Sequence, residues 1–139
     1  MSAKDIFHNT VRLALEKDGW NINQDPLFLK PSPRVRILID LGAEKLISAQ
    51  KGKSLIAVEV KSFVGLSTIS EFHTAVGQFF NYRMVLKKLE PERVLYLAVP
   101  TDVYQTFFAD SVVQEIIESL QMKLLVFWVA KQEIALWKE

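Results

Sequence analysis

Cysteine is absent from this chain of 139 residues, which excludes disulfides, thiolate zinc sites, iron–sulfur clusters and cysteine nucleophiles. Histidine is almost absent: His8 and His73 are the two present, too few for a multi-histidine zinc site. Charge of one sign is lacking as well. Seventeen basic residues face sixteen acidic ones for a net charge of +1, so no overall pull toward nucleic acid or an anionic membrane is expected. Long apolar runs are missing; the longest, Leu124 to Ala130, is strand-sized, far below the roughly 18 residues of a membrane span. The opening Met-Ser-Ala-Lys-Asp has no basic start followed by an apolar stretch, so no secretory signal is expected and a cytoplasmic location is.

What the chain does contain is globular composition, with 50% hydrophobic and 11% aromatic residues. That is enough for one domain over residues 1–139 whose core needs no staple. Ile6, Val11, Leu13, Ala14 and Leu15 recur at helical spacing over Asp5 to Lys17, with Gly19 as the stop. Asn21 to Pro33 holds three prolines and reads as a loop with at most a short extended piece. Val35 to Leu41, Leu46 to Gln50 and Ser54 to Lys61 read as an antiparallel hairpin or meander with a turn at Lys51-Gly52.

Thr68 to Leu89 places Ile69, Phe72, Val76, Phe79, Phe80, Met84, Val85 and Leu89 three and four apart, the pattern of a long core helix ending before Pro91. Arg93 to Val99 and Lys123 to Ala130 read as strands buried on both faces. Between them, Tyr104 to Leu120 is helical with a break at Asp110-Ser111, where Asp110 suits an N-cap. Glu133 to Trp137 closes the chain as an edge strand. Phe107, Phe108 and Trp128 are expected in the core, and Trp137 is expected to be exposed and available for self-association, as in a homodimer. Helices alternating with strands argue for a three-layer α/β/α fold with a central mixed β-sheet.

The informative stretch is Arg36-Ile-Leu-Ile-Asp40, followed nineteen residues later by Val58-Glu59-Val60-Lys61. Side chains alternate along a strand, so Glu59 and Lys61 share a face while Ile56, Val58 and Val60 take the other. A two-residue turn at Lys51-Gly52 would set Glu59 opposite Glu44 and Asp40 opposite Phe63. All four charged groups then emerge on one face, with Asp40 about 13 Å from Glu59 along the strand. A bulge at Gly42 would close that gap; otherwise Glu44 is the better-placed acid. Converging carboxylates suit a hard divalent cation, Mg²⁺ or Mn²⁺, that fills its shell with water and phosphate oxygens. Such an ion activates water and neutralises charge developing on a phosphodiester, and Lys61 is placed to orient that water or stabilise the phosphorus centre. Between Lys30 and Lys61, seven basic residues (Lys30, Arg34, Arg36, Lys45, Lys51, Lys53, Lys61) stand against Asp40, Glu44 and Glu59. This local excess could face phosphate or simply be solvated charge on an exposed hairpin.

Helix, Asp-bearing strand, strand ending in Glu-x-Lys, helix and strand, in that order, resemble the PD-(D/E)xK superfamily of restriction-endonuclease-like nucleases. Ile39 stands where a proline often precedes the aspartate. Within that superfamily, Ile39-Asp-Leu-Gly-Ala-Glu-Lys, Ala57-Val-Glu-Val-Lys-Ser-Phe and Ile69-Ser-Glu-Phe-His-Thr-Ala-Val-Gly-Gln-Phe-Phe-Asn-Tyr-Arg look like the XisH family, the fdxN element excision controlling factors of cyanobacteria. The resemblance implies a restriction-endonuclease-like fold in which Asp40 and Glu59 are metal ligands and Lys61 is the catalytic lysine. It also implies Glu16 as an additional acid and Gln78 and Tyr82 as a Gln-x-x-x-Tyr element beside the metal; His73 is given no role. Biologically it implies DNA as a partner, together with a site-specific recombinase and a companion excision factor, in programmed DNA rearrangement during heterocyst development. The alternative is a non-catalytic DNA- or recombinase-binding module that keeps the nuclease fold.

Overall fold

The computed structural model describes residues 4–48 and 52–139, and of residues 47 and 48 the backbone alone. Its helices are α1 (His8–Lys17), α2 (Thr68–Leu89), α3 (Thr101–Gln105) and α4 (Ser111–Ser119), with a 3₁₀ turn at Phe107–Ala109 between the last two. The strands are β1 (Asn21–Gln24), β2 (Leu27–Ser32), β3 (Val35–Ile39), β4 (Leu41–Ser48), β5 (Gly52–Val60), β6 (Arg93–Pro100), β7 (Leu124–Trp128) and β8 (Glu133–Lys138). Six strands form a mixed sheet in the order β1-β4-β5-β6-β7-β8, and β2 and β3 form a separate hairpin. β5, β6 and β7 run parallel, whereas β1, β4 and β8 join antiparallel.

Alternation along the central strands gives the sheet two apolar faces and hence three layers. Leu41, Ala43, Ile56, Val58, Tyr96 and Ala98 bury one face against Val11 and Leu15 of α1. Ala57, Leu95, Leu97, Val99, Leu124 and Val126 bury the other against α2 and α4, and the inward residues of the β2–β3 hairpin, Leu27, Leu29, Ile37 and Ile39, complete that core. Caps fix the helix ends. Ser67 Oγ accepts from Ser70 N at the start of α2, and Asp110 Oδ1 accepts from Val112 N and Val113 N at the start of α4, the break expected at that aspartate. Gly19, with φ +92°, ends α1 in the left-handed conformation that favours glycine.

Three expectations are corrected. Residues 21–33 are not mainly loop: Pro26, Pro31 and Pro33 punctuate two strands, because a short edge strand and a two-stranded hairpin leave proline nitrogens outside the ladder. The long helix buries a narrower stripe than its apolar positions suggested. Phe72, Ala75, Phe79 and Leu86 face the core, while Ile69, Phe80, Met84 and Leu89 are exposed, because a helix lying on one face of a sheet covers a single side. Trp137 is partly covered by Trp20 and Tyr96, with ring centroids at 5.9 and 4.8 Å, and Trp128 is the exposed tryptophan. The expected turn at Lys51-Gly52 falls in part on residue 51, outside the described residues, although Gly52 has φ +75°.

The stripe on α2 can be tested by unfolding in urea. Phe79, 3% exposed, and Phe80, 51% exposed, are chain neighbours. Phe79→Ala should cost about 3–5 kcal/mol and Phe80→Ala no more than about 0.5 kcal/mol.

Candidate active site

The chain changes sheets at one residue. β3 pairs with β2 up to Ile39, and β4 begins at Leu41 opposite Val58 of β5, so Asp40 between them lands opposite Glu59. No bulge at Gly42 is involved: Gly42 pairs regularly with Ala57, and the irregularity of β4 lies between Leu46 and Ser48. That slip near the loop shifts the whole register by four residues from the one a tight turn would impose, which removes the expected separation of Asp40 and Glu59. Gly42 serves a different need, since a Cβ there would stand 3.2 Å from Gln24 Cβ of β1.

Each carboxylate is held by the backbone of the other's strand. Val60 N donates to Asp40 Oδ2 at 2.7 Å, and Asp40 N donates to Glu59 Oε1 at 3.2 Å. The side chains thus satisfy amides that have no ladder partner where the strands part. Lys61 Nζ lies 3.9 Å from Glu59 Oε2. Burial first, and then the charge of Asp40, push Glu59 up to about 8, against a smaller pull from Lys61. These three residues line a cavity of about 510 Å³ together with Gln78 and Tyr82 of α2. Gln78 Oε1 is buried there without a hydrogen-bond partner. Burial, followed by the charges of Glu59 and Asp40, raises Tyr82 to about 12 and keeps its hydroxyl protonated.

Two of the remaining candidates lie elsewhere. Glu16 is on α1 away from the cavity, 3.9 Å from Arg12 Nε. Glu44 pairs across from Leu55, and its carboxylate meets Lys53 Nζ at 3.0 Å. Its candidacy depended on the tight-turn register, which β4 and β5 do not adopt. A larger groove of about 840 Å³ is lined by Arg83, Lys87, Arg93, Lys123 and Lys138 with Glu118 and Glu139, and none of the candidate residues reaches it.

Comparison with known proteins places the whole arrangement in a family. The family model described as XisH protein matches residues 1–135. The chain belongs to the XisH family. Two solved structures of XisH-type proteins superpose with a TM-score of 0.88 each. One, an XisH family protein from Nostoc punctiforme, is 47% identical over 97% of this chain and 100% of its own. The other, an fdxN element excision controlling factor protein from Anabaena variabilis, is 48% identical over 98% of this chain and 100% of its own. No curated protein matches.

Three residues of this XisH chain belong to the cavity's wall or its support and were not singled out from sequence. His8, 3% exposed, directs Nε2 to Asp25 Oδ1 at 2.7 Å and holds Nδ1 4.0 Å from Asp40 Oδ1. Arg12 Nη1 donates to Asp25 Oδ2 at 2.6 Å. Burial would raise the Asp25 carboxyl, but its hydrogen bonds to Arg12 and His8 and the charges of His8 and Lys4 outweigh that and lower it. The four-residue spacing of His8 and Arg12 on one helix face was the available signal; nothing local brings Asp25 to them. Asp5 ties the start of α1 to the end of β5 by accepting from Phe7 N and Ser62 N, each at 2.9 Å. Among the described residues no three His, Cys, Asp or Glu side chains stand close enough to form a complete metal cage. No helix among them is long and apolar enough to cross a membrane.

The strained carboxylate pair makes stability depend on pH. Folded Glu59 keeps its proton up to about 8, whereas the unfolded chain loses it near the ordinary value of 4.5. The stability this proton supplies is therefore present below about pH 4.5 and is lost as pH rises to 8. Denaturant unfolding of Glu59→Gln against the parent should show the difference moving in the variant's favour across that window, by on the order of a few kcal/mol in total. A difference independent of pH would contradict the burial and crowding described.

Proposed function

We propose that this XisH-family protein hydrolyses DNA phosphodiesters with a PD-(D/E)xK-type site, Asp40, Glu59 and Lys61, in support of DNA-element excision. The observation that carries the reading is the register that sets two buried carboxylates and an ammonium group at the wall of one cavity. The donor set fits a hard divalent cation. Asp40 Oδ1 and Glu59 Oε2 are the carboxylate oxygens not engaged by backbone amides, and the unpartnered Gln78 Oε1 adds a neutral oxygen nearby. A proton retained by Glu59 near neutral pH marks an excess of negative potential that a cation relieves. Asp40 and Glu59 would hold Mg²⁺ or Mn²⁺, which when bound supplies Lewis-acid stabilisation of phosphate charge and a more acidic water.

The chain's own groups have separate tasks. Lys61 places its ammonium at the cavity wall, where it stabilises charge developing on the phosphate oxygens and orients the attacking water. Gln78 Oε1 accepts a hydrogen bond from that water, and the protonated Tyr82 donates to a phosphate or sugar oxygen. DNA reaches the site along the β2–β3 hairpin. Its outward face exposes Phe28, Lys30, Arg36 and Leu38, with Arg34 at the turn, and Leu38 borders the cavity. Basic side chains beside an aromatic suit a sugar–phosphate backbone with stacked bases.

One observation favours the second reading, a non-catalytic DNA- or recombinase-binding module: with Glu59 protonated, the carboxylate pair is self-sufficient without an ion. The relative named as an excision controlling factor is compatible with either. Incubation of the purified protein with supercoiled and branched DNA and Mg²⁺ or Mn²⁺ separates them. Metal-dependent cleavage that falls at least about 100-fold in Glu59→Ala and Lys61→Ala is the expected result. DNA binding without cleavage establishes the module instead.

A further inference from the structure

The helix α1 brings a nitrogen donor to a cavity whose other donors are oxygens, and its geometry is that of a ligand rather than of a structural histidine. Arg12 grips Asp25 at 2.6 Å, and Asp25 in turn meets His8 Nε2 at 2.7 Å. A carboxylate fixed by a guanidinium accepts and does not donate, so the proton of this contact is on Nε2 and the neutral ring presents a bare lone pair at Nδ1. That atom is buried and has no hydrogen-bond partner. It faces Asp40 Oδ1, itself not engaged by an amide, at 4.0 Å. Two acceptors facing each other inside a cavity leave both unsatisfied, which costs free energy unless something positive stands between them. Two donors each about 2.1 Å from one ion lie between about 3 Å apart when adjacent and about 4.2 Å when opposite, and the observed spacing falls in that range. A carboxylate holding the far nitrogen of the ring is also the usual support of a metal-bound imidazole.

We propose that His8 Nδ1 is a third protein ligand of the cation held by Asp40 and Glu59, oriented by Asp25 and Arg12, and that the site prefers a first-row transition ion to Mg²⁺. The inference rests on the metal reading above and adds to it a ligand, its supporting pair and a selectivity. An imidazole nitrogen contributes little to Mg²⁺, which favours oxygen and water, and substantially to ions of the transition series.

Manganese(II) is the probe, because its bound state reports its ligands directly. Titration of the purified full-length protein with Mn²⁺ and with Mg²⁺, followed by calorimetry, should give Mn²⁺ at least about 10-fold tighter binding. Pulsed electron paramagnetic resonance of the Mn²⁺ complex should show hyperfine coupling to a directly bound nitrogen. His8→Gln keeps an N–H toward Asp25 but has no counterpart of Nδ1; it should lose the nitrogen coupling and narrow the preference for Mn²⁺. Asp25→Asn should retain the coupling and weaken Mn²⁺ binding about 10- to 100-fold. Urea unfolding of both variants with and without Mn²⁺ separates loss of a ligand from loss of the fold, since a folded His8→Gln loses only part of the metal-induced stabilisation. Mn²⁺ binding that shows no nitrogen coupling overturns the role of His8 and leaves the carboxylate site standing. Absence of Mn²⁺ binding to the parent overturns both.

Discussion

The pairing of β4 with β5 is the constraint on which the site depends. Leu41 opposite Val58 is the last regular pair of the ladder, and immediately beyond it Asp40 and Glu59 exchange backbone-to-carboxylate hydrogen bonds in its place. A slip of one residue would send both acids to the face packed against α1, and a slip of two would part them by roughly 7 Å. The apolar alternation of both strands fixes the register, because Leu41, Ala43, Ile56 and Val58 must all enter one core. The chemistry is thus held in place by packing that has nothing to do with chemistry.

Around that pair the charges alternate in sign from Arg12 through Asp25, His8, Asp40 and Glu59 to Lys61. The alternation fails at one step, where two carboxylates stand side by side in a buried setting, and the surroundings respond by holding a proton on Glu59. A group kept neutral by crowding is poised to exchange that proton for a cation. The helix α1 is therefore more than a cover for the sheet. It carries His8 and Arg12 to the rim of the cavity, and Asp5 at its start is tied to Ser62 just past β5, so the helix and the strand that bears Glu59 and Lys61 move as one unit.

Much of this was legible in the sequence for a physical reason. Period-two alternation in residues 54–61 and the branched apolar runs of 93–99 and 124–128 are local signals, and they sufficed for the central strands and for the shared face of Asp40, Glu59 and Lys61. Register is not local. It was set by an irregularity between Leu46 and Ser48 that no residue type announces, so the distance between the acids was misjudged and Glu44 looked better placed than it is. Residues 21–33 were obscured by prolines whose nitrogens the edge positions leave free, and the site's support from Asp25 by its distance along the chain from His8. The exposed Phe80 and Met84 show the opposite failure: apolar residues at helical spacing overstated the width of the buried stripe on α2.

The most direct measurement is the titration of the Glu59 carboxyl carbon by nuclear magnetic resonance in the parent and in Asp40→Asn, each with and without Mg²⁺. A midpoint near 8 in the parent, moving down both when Asp40 is neutralised and when the ion is added, is the result expected of two crowded acids that share a cation. An ordinary carboxylate midpoint, indifferent to Asp40 and to Mg²⁺, would contradict it.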